Sequence, residues 1–312
     1  MMLSVVVSFR NEQDVLEELI ERLTRALETT GLSYEIVFVD DDSTDRSSKI
    51  LQEAAARDKH IKIVTMSRRF GVEPCLFGGM RHAKGDAVIT IDADLQDPPE
   101  LIPTLVDRWK EGHDVVYTVR TARLGEPQIK LWLTRIAYHA IHKFAEIHIP
   151  VEAGDFRLLS RRVVDLLMQF DEPNTYLRGL VAWVGFPKAA VSYTRQPRRR
   201  GETHFSVFSR GPISTLFYGI TGFSAYPVYG VVGVGVVACT LALLGLVGSG
   251  VKLAVTGDAS GVGLWLCLAT AAWGSLLVAI GVVGLYVTRI HRTTLGRPRY
   301  VVKSTTNITE KP

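Results

Sequence analysis

Charge is nearly missing from one long stretch of this chain. Between Gly211 and Thr288 only Lys252 and Asp258 carry it, and every other charged residue lies outside that window. Cysteine is scarce too. Of the three, Cys239 and Cys267 fall inside the uncharged stretch and Cys75 stands alone, so neither a disulfide framework nor zinc spacing can be assembled. A strong net charge is also lacking. Thirty-six basic against 32 acidic residues leave +4, too little on its own to suggest nucleic acid. The opening "MMLSVVVSFRNE" has no basic leader, and its apolar run ends at Arg10, so a secretory signal is not expected.

The uncharged window divides in two. Residues 225–250 and 261–288 contain no charge, and each is long enough to cross about 30 Å of hydrocarbon. Two membrane helices are expected, at about 226–250 and 262–288, joined by the short "KLAVTGDAS" turn. Arginines 195, 198, 199, 200 and 210 precede the pair, and Arg289, His291, Arg292, Arg297, Arg299 and Lys303 follow it. The positive-inside rule puts both flanks in the cytoplasm, leaving residues 289–312 as a basic tail. Glycines 230, 233, 235, 245, 248, 281 and 284 would allow close helix approach within the hairpin or between chains.

The charged part, residues 1–204, alternates strands with helices. Near-continuous apolar runs at 3–9, 34–40, 61–67, 86–92 and 114–120 suit strands buried on both faces. Between them, residues 14–30 place Val15, Leu16, Leu19, Leu23 and Leu27 on one helical face, and 45–58 reads as a second helix. The expectation is an α/β, Rossmann-like domain with a mostly parallel sheet, whose ligands bind outside the carboxyl ends of the strands. Those ends read "SFRNE", "VDDDSTD", "SRRFG" and "DADLQD". Asp97 precedes Pro98 and Pro99 and is expected to cap the following helix. Asp92 and Asp94, alternate residues on an extended segment, would converge with the Gln96 amide oxygen into a hard-oxygen site for Mg²⁺ or Mn²⁺ and a diphosphate.

Two further segments suggest contact with lipid. In residues 129–147, Ile129, Leu133, Ile136, Ala140 and Phe144 share a helical face suited either to the membrane interface or to the domain, and Lys130 and Arg135 could meet an anionic headgroup. Residues 205–224 are aromatic-rich and lead directly into the first span.

"VVVSFRNE", "VFVDDDSTD", "DADLQDPPE" and "GDFRLLSR", in that order and spacing, resemble a family 2 glycosyltransferase of the GT-A fold. "RRRGETHFS" at 198–206, two terminal spans and "GLYVTRIHRTTLGRPRYVV" at 284–302 narrow the resemblance to the polyprenyl-phosphate glycosyltransferases. That group includes dolichol-phosphate mannose synthases and undecaprenyl-phosphate glucosyltransferases.

The resemblance implies a nucleotide site at Ser8, Phe9, Asn11, Glu12, Val39, Asp41 and Ala93, with the Asp41 carboxylate toward the base. It implies metal and donor diphosphate at Asp92, Asp94 and Gln96, and catalytic roles for Asp155 and Arg120. Arg120 would serve the acceptor side, along with Arg157, Arg198, Arg200, Thr203 and His204. It further implies a nucleotide-sugar donor, with UDP-glucose ahead of GDP-mannose, a polyprenyl phosphate acceptor, inversion at the anomeric carbon, residence in the plasma membrane and a homo-oligomer. His204 stands where lysine is common, which makes that contact depend on pH. A processive polysaccharide synthase would need a Gln-x-x-Arg-Trp segment, and a nucleotidyltransferase a Gly-rich, Lys-bearing first loop; neither is present. A sugar-nucleotide sensor would bind donor without turnover.

Overall fold

A computed structural model describes residues 1–123, 153–170, 176–195, 226–257 and 262–308. The chain divides into two compact units, one carrying the sheet and the other the apolar helices.

The first unit is built on an eight-stranded sheet. Its strands are β1 (Met2–Phe9), β2 (Ser33–Asp40), β3 (Ile61–Met66), β4 (Ala87–Asp92), β5 (Val115–Arg123), β6 (Ala153–Ser160), β7 (Lys188–Arg195) and β8 (Val302–Thr306), in the order β7-β5-β6-β4-β1-β2-β3-β8. The centre, β4-β1-β2-β3, is parallel, whereas β6 runs antiparallel to β4 and β5, and β8 antiparallel to β3. The expected apolar runs became the fully buried central strands because helices cover the sheet. In α1 (Leu16–Glu28) the buried residues are Leu16, Leu19, Leu23, Ala26 and Leu27, the stripe that helical spacing predicts. Among the described residues the other helices of this unit are α2 (Ser47–Arg57), α3 (Val72–His82), α4 (Ile102–Lys110), α5 (Arg161–Leu167) and α6 (Leu177–Trp183). Helix α3 lies so close to the sheet that a Cβ on Gly79 would stand 2.2 Å from Val6 Cγ1 and 2.9 Å from Val39 Cγ2.

Strand order positions the site. The chain steps outward from β1 through β2 to β3, then returns to pair β4 on the other side of β1. The crevice where order reverses lies between the carboxyl ends of β1 and β4, and there Ser8 pairs with Asp92.

The end of the chain corrects the expected tail. Residues 302–306 form an edge strand, tied in by the Ser67 N–H donating to Val301 O at 2.9 Å. Asn307, with φ of 57°, donates through Nδ2 to Ala55 O and Ile61 O at 2.7 and 2.9 Å. The Arg299 guanidinium lies 4.4 Å from the Phe77 ring centre. The basic residues around this segment hid a short β-branched run, Val301, Val302, Thr305 and Thr306, which suits a strand.

The second unit holds α7 (Tyr226–Thr256) and α8 (Val262–Thr294), with 29- and 25-residue stretches long and apolar enough to cross a membrane. None of the windows that define these stretches is buried, and Val232, Leu244, Val247, Trp273, Ile280 and Val283 are all exposed. Helices apolar around their whole circumference suit lipid rather than water. Within the hairpin, Trp265 Nε1–H donates to Ser249 Oγ at 2.7 Å, and the Trp265 ring fills the space where a Gly245 Cβ would sit. Glycines 230, 233, 235, 248, 281 and 284 have no such neighbour within 4 Å among the described residues.

Candidate active site

Strand β4 ends at Asp92 and the chain turns at once, with Leu95 at φ 55° and the Gln96 N–H returning to Asp94 Oδ1 at 3.1 Å. Asp94 therefore reaches the site from a turn, not by the strand alternation expected. The carboxyl of Asp92 is pushed up to about 7, first by burial and then by repulsion from Asp155, Asp94 and Asp97, against the pull of Arg120. Gln96 lies in the same turn. Among the described residues no three Asp, Glu, His or Cys side chains form a ready metal cage. A divalent ion held here by two carboxylates would complete its shell with ligand oxygens and water, as Mg²⁺ commonly does.

Asp155 lies on the neighbouring strand, β6. Thr90 pairs with Arg157, and continuing that antiparallel register by two residues sets Asp155 opposite Asp92. The Asp155 carboxylate accepts Arg157 Nη2–H at 2.7 Å and Arg178 Nε–H at 2.9 Å on Oδ1, and Arg178 Nη2–H at 2.6 Å on Oδ2. Burial acts to raise its pKa, but Arg178, then Arg157 and Arg120, hold it well below the usual carboxylate range. Glu73, in the first turn of α3, is pushed up to about 7 by burial and by Asp155.

Asp97 is not a helix cap. The short 3-10 turn at Pro99–Leu101 is capped at Pro98 without a side-chain bond, and Asp97 is fully buried. Its carboxylate accepts Tyr193 Oη–H on Oδ1 and Arg120 Nη2–H at 3.3 Å on Oδ2, with Arg195 Nε 3.5 Å away. Arg120 also donates Nε–H to Tyr193 Oη at 3.0 Å. Gly154 backs this guanidinium, since a Cβ there would lie 3.2 Å from Arg120 Nη2. The guanidinium named for the acceptor side is thus committed to a buried ion pair. Arg195 reaches Asp94 as well, at 3.8 Å.

On the β1–β2 side, Asn11 adopts φ 54° and its Oδ1 accepts the Thr44 N–H at 2.8 Å, while the Glu12 N–H donates to Ser47 Oγ at 2.9 Å. Asp41 accepts the Phe70 N–H at 2.6 Å and the Gly71 N–H at 2.9 Å, one on each oxygen, so it anchors the turn that opens α3. Gly71 is suited to that turn by its φ of 96°. Phe9 turns its ring into the core, edge-on to Phe38 at 6.3 Å, and Val39 and Ala93 are buried. These three can offer a nucleotide little beyond backbone.

Ser8 Oγ, Arg10 Nε and Arg157 Nε are buried and lack a hydrogen-bond partner among the described residues. Unpaired buried donors are costly, and two of these stand beside crowded carboxylates, Ser8 paired with Asp92 and Arg157 bonded to Asp155, which fits a site built for an anion together with a cation. Motif reading missed Arg178, Tyr193 and Arg195. Arg178 left one signal, a single charge within the apolar run "YLRGLVAW". Lys130, Arg135, Arg198, Arg200, Thr203 and His204, with the segments at 129–147 and 205–224, lie outside the described residues.

Comparison with known proteins agrees with this architecture. Residues 4–167, from β1 through α5, match "Glycosyl transferase family 2". An uncharacterized glycosyltransferase, YkcC, of Bacillus subtilis (strain 168) is 38% identical over 99% of this chain and 95% of its own length. The prophage bactoprenol glucosyl transferase homolog of Escherichia coli (strain K12) is 33% identical over 97% of this chain and 99% of its own. The solved glucosyl-3-phosphoglycerate synthase of Mycobacterium tuberculosis, in complex with Mn²⁺, UDP-glucose and phosphoglyceric acid, is 21% identical over 71% of this chain and 79% of its own, with a TM-score of 0.49. The chain is a glycosyltransferase of family 2, with relatives along its whole length among the bactoprenol glucosyl transferases.

Proposed function

We propose that the protein transfers a hexose from a nucleotide sugar, UDP-glucose first and GDP-mannose second, to a polyprenyl phosphate, with inversion at the anomeric carbon. The observation that carries this reading is the pairing at one sheet edge of crowded carboxylates with unpartnered donors. Asp155, Asp94 and Asp97 crowd Asp92 there, while Ser8 Oγ and Arg157 Nε have no partner among the described residues. Asp92 and Asp94, with the Gln96 amide, would hold Mg²⁺ or Mn²⁺. When bound, such an ion supplies Lewis-acid stabilisation of the charge that gathers on a departing diphosphate.

The chain's own groups do the rest. The Ser8 to Glu12 turn and Asp41 would hold the nucleotide, the Asp41 carboxylate facing its base through the lone pairs that its bonds to Phe70 and Gly71 leave open. Arginines at the edge offset phosphate charge through forked, charge-assisted bonds. A lipid phosphate is already largely dianionic at neutral pH, its second pKa being about 6, so orientation matters more than deprotonation. An acceptor of this kind agrees with two helices suited to lipid and with relatives named for bactoprenol. The reading places both helices in the plasma membrane, with the sheet unit and both termini in the cytoplasm, and allows a homo-oligomer packed through the glycines of the hairpin.

The configuration of the product tests the mechanism. Proton NMR of the lipid-linked sugar should show the donor's anomeric configuration inverted; a retained configuration would refute direct attack by the lipid phosphate.

A further inference from the structure

Arg178 has no counterpart in the motifs that identify this family, yet it makes the most complete contact in the site. It is the second residue of α6, a helix of seven residues whose Leu177, Leu180 and Val181 are buried. An arginine among such neighbours is placed by its partner. That partner is Asp155, met by a two-pronged fork, with Nε 2.9 Å from Oδ1 and Nη2 2.6 Å from Oδ2. The side chain of Arg178 is 20% exposed and that of Asp155 25%, so both lie in the wall of the site with an edge toward solvent.

A second device holds the fork in place. The Leu177 N–H, at the start of α6, donates to Glu73 Oε1 at 3.3 Å. Glu73 is in the first turn of α3, directly after the turn anchored by Asp41. Helix α6 is thus tied to β6 through Asp155 and to α3 through Glu73. Arg157 adds the third donor, with Nη2 2.7 Å from Oδ1, and its own Nε is buried and unpartnered among the described residues.

We propose that Arg178 is a positioning residue for glycosyl transfer: with Arg157 it makes Asp155 an anchoring anion that fixes two guanidinium groups at the acceptor-phosphate side of the site. This rests on the reading of the protein as a polyprenyl-phosphate glycosyltransferase. Two guanidinium groups share this one carboxylate, so the trio itself is cationic and can face an anionic nucleophile, while Asp92 lies across from it. Protonating Asp155 would cancel the charge that strengthens all three of these bonds, so the arrangement favours the anion. The transfer does not require that protonation. An oxygen of the dianionic acceptor phosphate forms the bond to the anomeric carbon. The bond from that carbon to the diphosphate breaks, its electron pair leaves with the nucleoside diphosphate, and no proton moves.

The test uses the full chain in detergent with Mg²⁺, UDP-glucose and undecaprenyl phosphate, comparing wild type with Arg178→Gln, Arg178→Lys and Arg178→Ala. The expected result for Gln and Lys is a fall in kcat of about 100-fold, the scale of a misplaced reactant, with the donor KM nearly unchanged. Lysine fails because it keeps the charge and loses the fork. Added guanidinium ion should restore part of the activity of Arg178→Ala, which a merely structural arginine would not allow. If Arg178→Gln does not fold, the Lys variant and the guanidinium rescue decide. Transfer by Arg178→Lys at the wild-type rate, or no rescue of a folded Arg178→Ala, would overturn the proposal. Absence of lipid label in the wild type would instead refute the transfer reading itself, so the two failures are distinct.

Discussion

Removing the Asp97 carboxylate should destabilise the protein far more than losing a helix cap would. Asp97 is 0% exposed, and the side chains of its partners Arg120 and Arg195 are 9% and 15% exposed. With so little water nearby, screening is weak, and Asp97→Ala leaves two arginines and the Tyr193 hydroxyl facing a gap. Breaking a buried ion pair from one side costs about 3–5 kcal/mol. For a unit of this size, each kcal/mol moves the melting midpoint by about 2–4 °C, so a fall of about 6–20 °C is expected. A lost cap would cost about 1 kcal/mol, or roughly 2–4 °C. Asp97→Asn keeps the shape and one acceptor for Tyr193 but loses the charge, and should fall between wild type and Asp97→Ala. The assay is thermal unfolding in detergent, followed by far-UV circular dichroism. A fall under about 4 °C in Asp97→Ala would refute the buried-network account and restore the cap.

Glu35 carries a pH-dependent prediction. Burial acts to raise its pKa, but Lys62, the Lys84 N–H and Ser4 lower it below the ordinary glutamate value. Its contribution to stability is therefore full above the unfolded pKa of about 4.3 and is lost as pH falls through the lower folded value. Glu35→Gln should cost about 3–5 kcal/mol at neutral pH and flatten the acid limb of the melting curve; an unchanged limb would contradict this. At the proposed metal site, Asp92→Asn and Asp94→Asn should each abolish metal-dependent transfer with little change in melting midpoint. Full activity of both variants under chelator would remove the ion from the mechanism.

The central sheet was legible because its strands are apolar runs that need no distant partner to be identified. The same holds for α1, whose buried face follows from spacing alone. Asp92 could be placed because a strand visibly ends there, and the position of Asp155 came from resemblance to a family. What stayed hidden depends on pairing across the chain. Asp97 looked like a cap because its neighbours in sequence are prolines, while its actual partners are 23, 96 and 98 residues away, at Arg120, Tyr193 and Arg195. The last strand was masked by basic residues and by a partner, β3, more than 200 residues earlier in the chain. Arg178 reads as an ordinary surface charge until β6 brings Asp155 beside it.

The most direct test of the central claim is transfer itself. Purified full-length protein in detergent would be given undecaprenyl phosphate, Mg²⁺ or Mn²⁺ and a panel of radiolabelled sugar nucleotides, with Asp155→Asn in parallel. The account predicts label from one donor in the organic phase, UDP-glucose before GDP-mannose, and its loss in the variant. A donor that binds tightly yet leaves no label in lipid under any metal would contradict it and point to a sensor.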